Sequence, residues 1–136
     1  MAGDWRQDIV NWLSVVGKIR SYKDLIVWQR AVEYCVLIYK VTGGLPASES
    51  YRLTNQMRRA AVSIPSNIAE GSGRTNKEFA RYLKIALGSM AELETQIEIA
   101  RRVGYISDSQ CNSLSSEISS IGKQITVLHQ KVKRAQ

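Results

Sequence analysis

A chain of 136 residues can bury one hydrophobic core and not two, so it reads as one bundle-sized domain with whatever extension it carries. Lysine and arginine outnumber the acids by 19 to 12, a net charge of +7 that favours polyanionic partners such as nucleic acid. An apolar share of 44% without a membrane-spanning run or a signal-peptide pattern points to a soluble, cytoplasmic protein with no membrane partner. Cys35 and Cys111 form no CxxC pair, so a metal site is not expected and both read as reduced thiols.

Residues 1–20 read as a separate N-terminal amphipathic extension, and residues 21–136 as the main domain. In a helix, Trp5, Ile9, Trp12, Leu13 and Val16 would share one face, and Gly17 would end it. That arm could dock on its own domain or on a neighbouring subunit. Its polar face lacks the lysines that a lipid surface favours. The first helix of the domain is expected over 25–41, with Asp24 as its cap. Leu25, Trp28, Val32, Cys35, Tyr39 and Thr42 form one heptad seam. Ile26, Val27, Ala31, Val36, Leu37 and Ile38 are also apolar, leaving only Gln29, Arg30, Glu33 and Lys40 strongly polar. A helix so apolar around its circumference needs cover on more than one side, which argues for subunit association.

A turn follows at 42–46, where two glycines and Pro46 break the helix. The second helix is expected to begin at Ser48 or Glu49 and to carry the row Leu53, Met57, Ala60, Ile64 and Ile68. Pro65 lies inside this row, and the unbroken spacing predicts a bent but continuous helix. Gly71-Ser72-Gly73 should end it in a left-handed conformation. Thr75 and Glu78 then make a capping box for a helix over 76–103, with Phe79, Leu83, Ala86, Met90, Leu93, Ile97 and Ala100 as its seam. Gly104 closes that helix. Ser107 to Gln110 is a second capping box, opening a last helix through Leu114, Ile118, Ile121, Ile125, Leu128 and Val132. The basic end, residues 131–134, is expected to fray. No strand alternation or repeat is present, so the fold class is all-α, an antiparallel up-and-down four-helix bundle.

Little in this chain looks catalytic, and the protein is not expected to be an enzyme. His129 is the one histidine, which leaves nothing for a nucleophilic triad or a metal centre. It reads as a surface or interface residue. Gly71-Ser72-Gly73-Arg74-Thr75 follows a helix and lacks the lysine and spacing of a phosphate loop. Glu70, Glu92, Glu94 and Glu98 lack the histidines of a bundle metal site and are expected to pair with Arg58, Arg59, Arg101 or Arg102. No cofactor is expected. The basic residues are the better lead. Lys77, Arg81 and Lys84 lie opposite the third helix's seam, Arg52, Arg58 and Arg59 lie on the second helix, and Arg74 lies in the connecting turn. They form either a solvated helix face or a surface that follows RNA or DNA phosphates without reading bases. With Tyr82 and Tyr51 as the few nearby aromatics, base stacking on this face is not supported.

Several of these stretches resemble one family. Leu25-Ile26-Val27-Trp28-Gln29, Gln56-Met57-Arg58-Arg59-Ala60-Ala61, the run Ser63-Ile64-Pro65-Ser66-Asn67-Ile68-Ala69-Glu70-Gly71, and Gly88-Ser89 with Glu92-Leu93-Glu94-Thr95 are similar to the bacterial 23S rRNA intervening-sequence proteins. The likeness spans about 22–128. It implies a homopentamer, and so a bundle assembling into a ring, which agrees with the surplus apolar surface of the first helix. A related branch, the accessory variability determinant of diversity-generating retroelements, is a basic pentamer that binds a reverse transcriptase and nucleic acid. The resemblance thus implies either an adaptor between a reverse transcriptase and its RNA, or an interaction scaffold that never touches nucleic acid.

Overall fold

A computed structural model describes residues 21–135, and the extension expected over 1–20 lies outside the described residues. Four helices make up the structure: α1 (Ile26–Thr42), α2 (Leu53–Ser72), α3 (Asn76–Arg102) and α4 (Asp108–Arg134). Short 3-10 turns at Tyr22–Asp24 and Ala47–Glu49 precede α1 and α2, and no strand occurs among the described residues. Each helix packs on the next in sequence, α2 against α3 most extensively, and α4 returns to α1 to close a four-helix bundle.

The helix starts follow local hydrogen-bonding chemistry. At α4 the Ser107 hydroxyl accepts from the Gln110 N–H at 3.0 Å, and the Gln110 side chain accepts from the Ser107 N–H at 2.9 Å. This is the full capping box that the spacing predicts. At α3 the Thr75 hydroxyl accepts from the Glu78 N–H, while the Glu78 carboxylate pairs with Arg74. Only half of that predicted box is therefore a backbone cap. Asp24 does not cap α1: it lies within the preceding 3-10 turn, and Leu25 occupies the cap position without a side-chain bond. The second helix begins at Leu53, later than expected. The Glu49 carboxylate reaches forward to accept from the Leu53 N–H at 3.3 Å and also receives the Tyr105 hydroxyl at 3.1 Å.

The helix ends differ from one another. Gly104 takes φ +85°, the left-handed region that a side chain disfavours. Gly73 ends α2 at φ −91°, an ordinary value, so the expected left-handed termination does not occur there. Gly71 is needed for another reason. A Cβ at that position would lie 2.6 Å from Tyr82 Cβ, so a bare backbone lets α2 close onto α3. The second helix runs unbroken across Pro65, as the spacing predicts.

The core is built from the predicted rows of three helices. Met57, Ala60, Ile64 and Ile68 of α2 are buried, together with the whole α3 seam and the whole α4 row. α1 departs from its expected seam. Leu25 and Thr42 at its two ends are buried as expected, but between them the buried face is Val27, Ala31, Tyr34 and Ile38, whereas Trp28, Val32 and Cys35 are half-buried and Tyr39 is 45% exposed. The reason is that α1 is apolar on nearly every side, so its periodicity admits more than one inward face. The core chooses the face that also inserts Arg30.

Arg30 is 6% exposed and makes three hydrogen bonds to α4. It donates to Gln124 Oε1 at 2.7 Å, to Glu117 at 2.8 Å and to Ser120 Oγ at 3.1 Å. One turn further along α1, the Tyr34 hydroxyl donates to the Leu114 carbonyl at 2.8 Å. Burial, with Glu94 and Glu117 nearby, pushes the Tyr34 phenol far above its usual value. These bonds tie α1 to α4 where their contact is least extensive. The C-terminal end of α4 does not fray: helix continues to Arg134, Val132 is fully buried, and Asn76 donates to the Ala135 carbonyl at 3.4 Å.

Candidate nucleic-acid interface

Arg74, Lys77, Arg81 and Lys84 form one exposed basic row along the turn before α3 and its first two turns. Their steps of three and four residues place them on one side of the helix, away from Phe79, Leu83 and Ala86 in the core. Tyr82 organises two of them. The Arg74 guanidinium lies 5.2 Å and the Arg81 guanidinium 4.8 Å from its ring centroid, both over the ring. Tyr82 packs so close to the backbone of Gly71 that a side chain there would collide with it.

Arg74 is the restrained member of the row. It pairs with Glu70 at 2.6 Å and with Glu78 at 3.3 Å, and these two bonds hold its guanidinium above its usual pKa. Lys77, Arg81 and Lys84 face solvent. From the other side of the same surface, α4 contributes two residues that the sequence reading left out of the cluster. Lys133 and His129 line a groove of about 340 Å³ with Arg81, Lys84, Ala80 and Ile85. Burial, then Lys84 and Lys133, hold the His129 imidazole below its usual pKa. The available signal was the spacing of His129 and Lys133, one helical turn apart, in a helix whose end was expected to fray.

The remaining basic candidates do not join this surface. α2 is about 30 Å long, and Arg52 lies at the end opposite to Gly71. Arg59 lines a different groove, of about 500 Å³ between α2 and α3, with Gln56, Ser63, Ser89, Glu92 and Gln96. Ser63 and Ser89 share a hydrogen bond of 2.7 Å across that interface, and Asn67 donates to Ser63. Arg58 works on the bundle itself. It donates to Thr42 Oγ1 at 2.9 Å and to the Tyr39 carbonyl at 3.2 Å, and it stacks 4.6 Å from the Tyr39 ring centroid. A guanidinium there satisfies the last carbonyls of α1 and complements its dipole.

Of the acids expected to pair with Arg58, Arg59, Arg101 or Arg102, only Glu98 does so: Glu70 takes Arg74 instead, and Glu92 and Glu94 form no ion pair among the described residues. Glu98 binds Arg101 at 2.7 Å and Arg102 at 2.8 Å, and hydrogen bonds from both hold its carboxyl down at about 2. Among the described residues no group of three or more His, Cys, Asp or Glu side chains could hold a metal ion. Cys35 and Cys111 are free thiols. No helix among the described residues is long and apolar enough to cross a membrane.

A second surface is apolar. Val32, Cys35, Val36 and Tyr39 of α1 and Val62, Pro65 and Ser66 of α2 line an open groove of about 490 Å³. Val36, Tyr39 and Val62 are 49%, 45% and 40% exposed, so most of the side-chain surface that α1 has in excess ends up here.

A solved structure has the same architecture. It is a protein of unknown function from the S23 ribosomal protein family of Bacteroides thetaiotaomicron VPI-5482, matching with a TM-score of 0.73 and 26% identity over 79% of this chain and 98% of that one. No curated protein matches the chain. The model of the 23S rRNA-intervening sequence protein family matches residues 23–127, most of the described bundle. The chain belongs to that family.

Proposed function

We propose that this protein is a non-enzymatic, self-associating bundle that binds nucleic acid through its phosphates, using the basic surface that α3 and α4 share. The observation that carries this reading is the convergence of Arg81 and Lys84 of α3 with Lys133 of α4 on one groove, which no carboxylate lines among the described residues, with exposed Lys77 one turn before Arg81. Fixed cations at helical spacing can track a backbone and neutralise it without reading bases. The apolar groove of α1 and α2 supports self-association. Another copy of the chain would cover Val36, Tyr39 and Val62, and a closed ring would repeat the basic surface around its axis. Such repetition raises avidity for a long polyanion without any new contact. In its narrower form, which the family resemblance implies, a pentamer holds a reverse transcriptase against its RNA template.

The test replaces Lys77, Arg81 and Lys84 by glutamine and measures anisotropy of mixed-sequence RNA and DNA across a salt series. All three side chains are exposed, so stability should change by no more than about 0.5 kcal/mol. Affinity should fall. The log–log salt slope should flatten by roughly 0.7 per lost contact on single strands or 0.9 on duplex, with no change in sequence preference. Equal affinity and slope in the variant would remove this surface from the mechanism. Failure of the wild type to bind at low salt would instead favour a scaffold that meets only proteins. Light scattering that gives a monomer mass at micromolar concentration would refute self-association.

A further inference from the structure

Within that nucleic-acid surface, and resting on that reading, we propose that the groove between α3 and α4 seats one backbone phosphate and that His129 takes up a proton as the phosphate enters. The groove is built for a single anion. Arg81 and Lys84 enter from α3, Lys133 and His129 from α4, and Ala80 and Ile85 are its apolar lining. Among the described residues no carboxylate lines it, so none of them competes for an incoming phosphate. The charged groups that face the imidazole are Lys84 and Arg81 from the packed helix and Lys133 from its own.

These surroundings set the direction of the coupling. In the empty groove, burial first and then the two lysines disfavour the imidazolium. His129 is therefore mostly neutral at pH 7, which spares the groove a further positive charge while it is empty. A phosphodiester brings one negative charge among those cations and a strong acceptor for an imidazolium N–H. Occupancy therefore raises the pKa of His129 above its free value. A group whose pKa is higher in the complex makes binding tighter as pH falls through the bound value, and the gain levels off below the free value. Each unit by which phosphate lifts that pKa is worth about tenfold in affinity at low pH.

The experiment is anisotropy of tetramethylrhodamine-labelled, mixed-sequence single-stranded RNA at fixed salt between pH 8 and pH 5.5, wild type against His129→Gln. Glutamine keeps a hydrogen-bond donor and does not titrate. Wild type should tighten several-fold on acidification. Whatever its affinity at pH 8, the variant should stay flat across the range. A flat wild-type profile, or the same slope in the variant, would overturn the proton-coupled seat and leave the basic surface standing. Absence of RNA binding by wild type at every pH would overturn both. A second measurement does not depend on a variant. His129 is the one histidine in the chain, so its imidazole proton resonance can be followed by NMR without ambiguity. RNA should shift its titration to higher pH, and an unchanged or lowered midpoint sinks the proposal.

Discussion

α1 and α3 solve the same packing problem in opposite ways. α3 keeps a continuous buried seam from Phe79 to Ala100 and a largely polar outer face, on which Arg101 and Arg102 pair with Glu98 and only Ile85 and Ile99 are exposed large apolar residues. α1 puts a charged residue inside and leaves apolar ones outside: Arg30 is buried, while Val36, Leu37 and Tyr39 are exposed. Helical periodicity identifies an inward face only when polar residues mark the outward one. On α3 they do. On α1 only four strongly polar positions punctuate the helix, and one of those, Arg30, turns inward. The difference also separates two tasks. α3 carries most of its charge on its outer face, and α1 leaves an apolar surface on which the proposed self-association rests.

The largest effect that tests this contrast lies on α1 itself. Ile38 is fully buried, whereas its neighbour Leu37 is 38% exposed. Ile38→Ala should cost about 2–5 kcal/mol in urea denaturation, the range for an emptied core site. Leu37→Ala should cost less than about 1 kcal/mol, because its side chain keeps much of its contact with water. Equal losses at the two positions would mean that the inward face of α1 is misplaced.

An intermediate effect is expected at Arg30. Arg30→Ala leaves Gln124, 1% exposed, without its partner at Oε1, while the half-exposed Glu117 can turn to water. A loss of about 2–4 kcal/mol follows, mostly the cost of the stranded buried amide and the lost packing. Arg30→Met combined with Gln124→Leu removes both buried polar groups and should recover most of that loss. If the double variant is no more stable than Arg30→Ala, the pair contributes by another route.

The smallest effect is expected on α3. Glu98 shares its carboxylate with Arg101 and Arg102 at an exposed site, where solvent and salt screen the pairs. Because its folded pKa is lowered, its contribution is complete above the ordinary carboxylate range and fades as pH falls toward about 2. Glu98→Gln should remove that acid-sensitive part of the stability profile and little else. A loss as large as that at Arg30 would contradict the contrast between the two helices.

The fold was legible in the sequence wherever one stripe and one cap agreed. The α2, α3 and α4 rows and the Ser107–Gln110 box are single-valued patterns, and the structure follows them. The inward phase of α1 was not legible, because its pattern has several solutions and the winning one depends on Gln124 and Glu117, about ninety positions away. The candidate surface was half legible. Lys77, Arg81 and Lys84 share a helix and could be read from spacing alone. Lys133 and His129 join them only through the packing of α4 on α3; Val132 continues the row that spacing reveals, but the bond from Asn76 to Ala135 that also anchors this end leaves no trace in a local pattern. Arg58 misled because a guanidinium that caps α1 has the same letter as one that meets solvent.

The setting of Tyr82 has a spectroscopic consequence. Two guanidiniums lie over one ring, and the base of that side chain sits against the bare backbone of Gly71. Among the described residues Arg81 has no ion pair to give up on turning toward an anion, whereas Arg74 must break two. In a protein with selectively labelled tyrosines, the aromatic resonances of Tyr82 thus register the motion of Arg81 directly, ahead of any change in Arg74. The face that carries the positive charge comes with its own optical and magnetic gauge, placed a single helical turn from the cations it reports on.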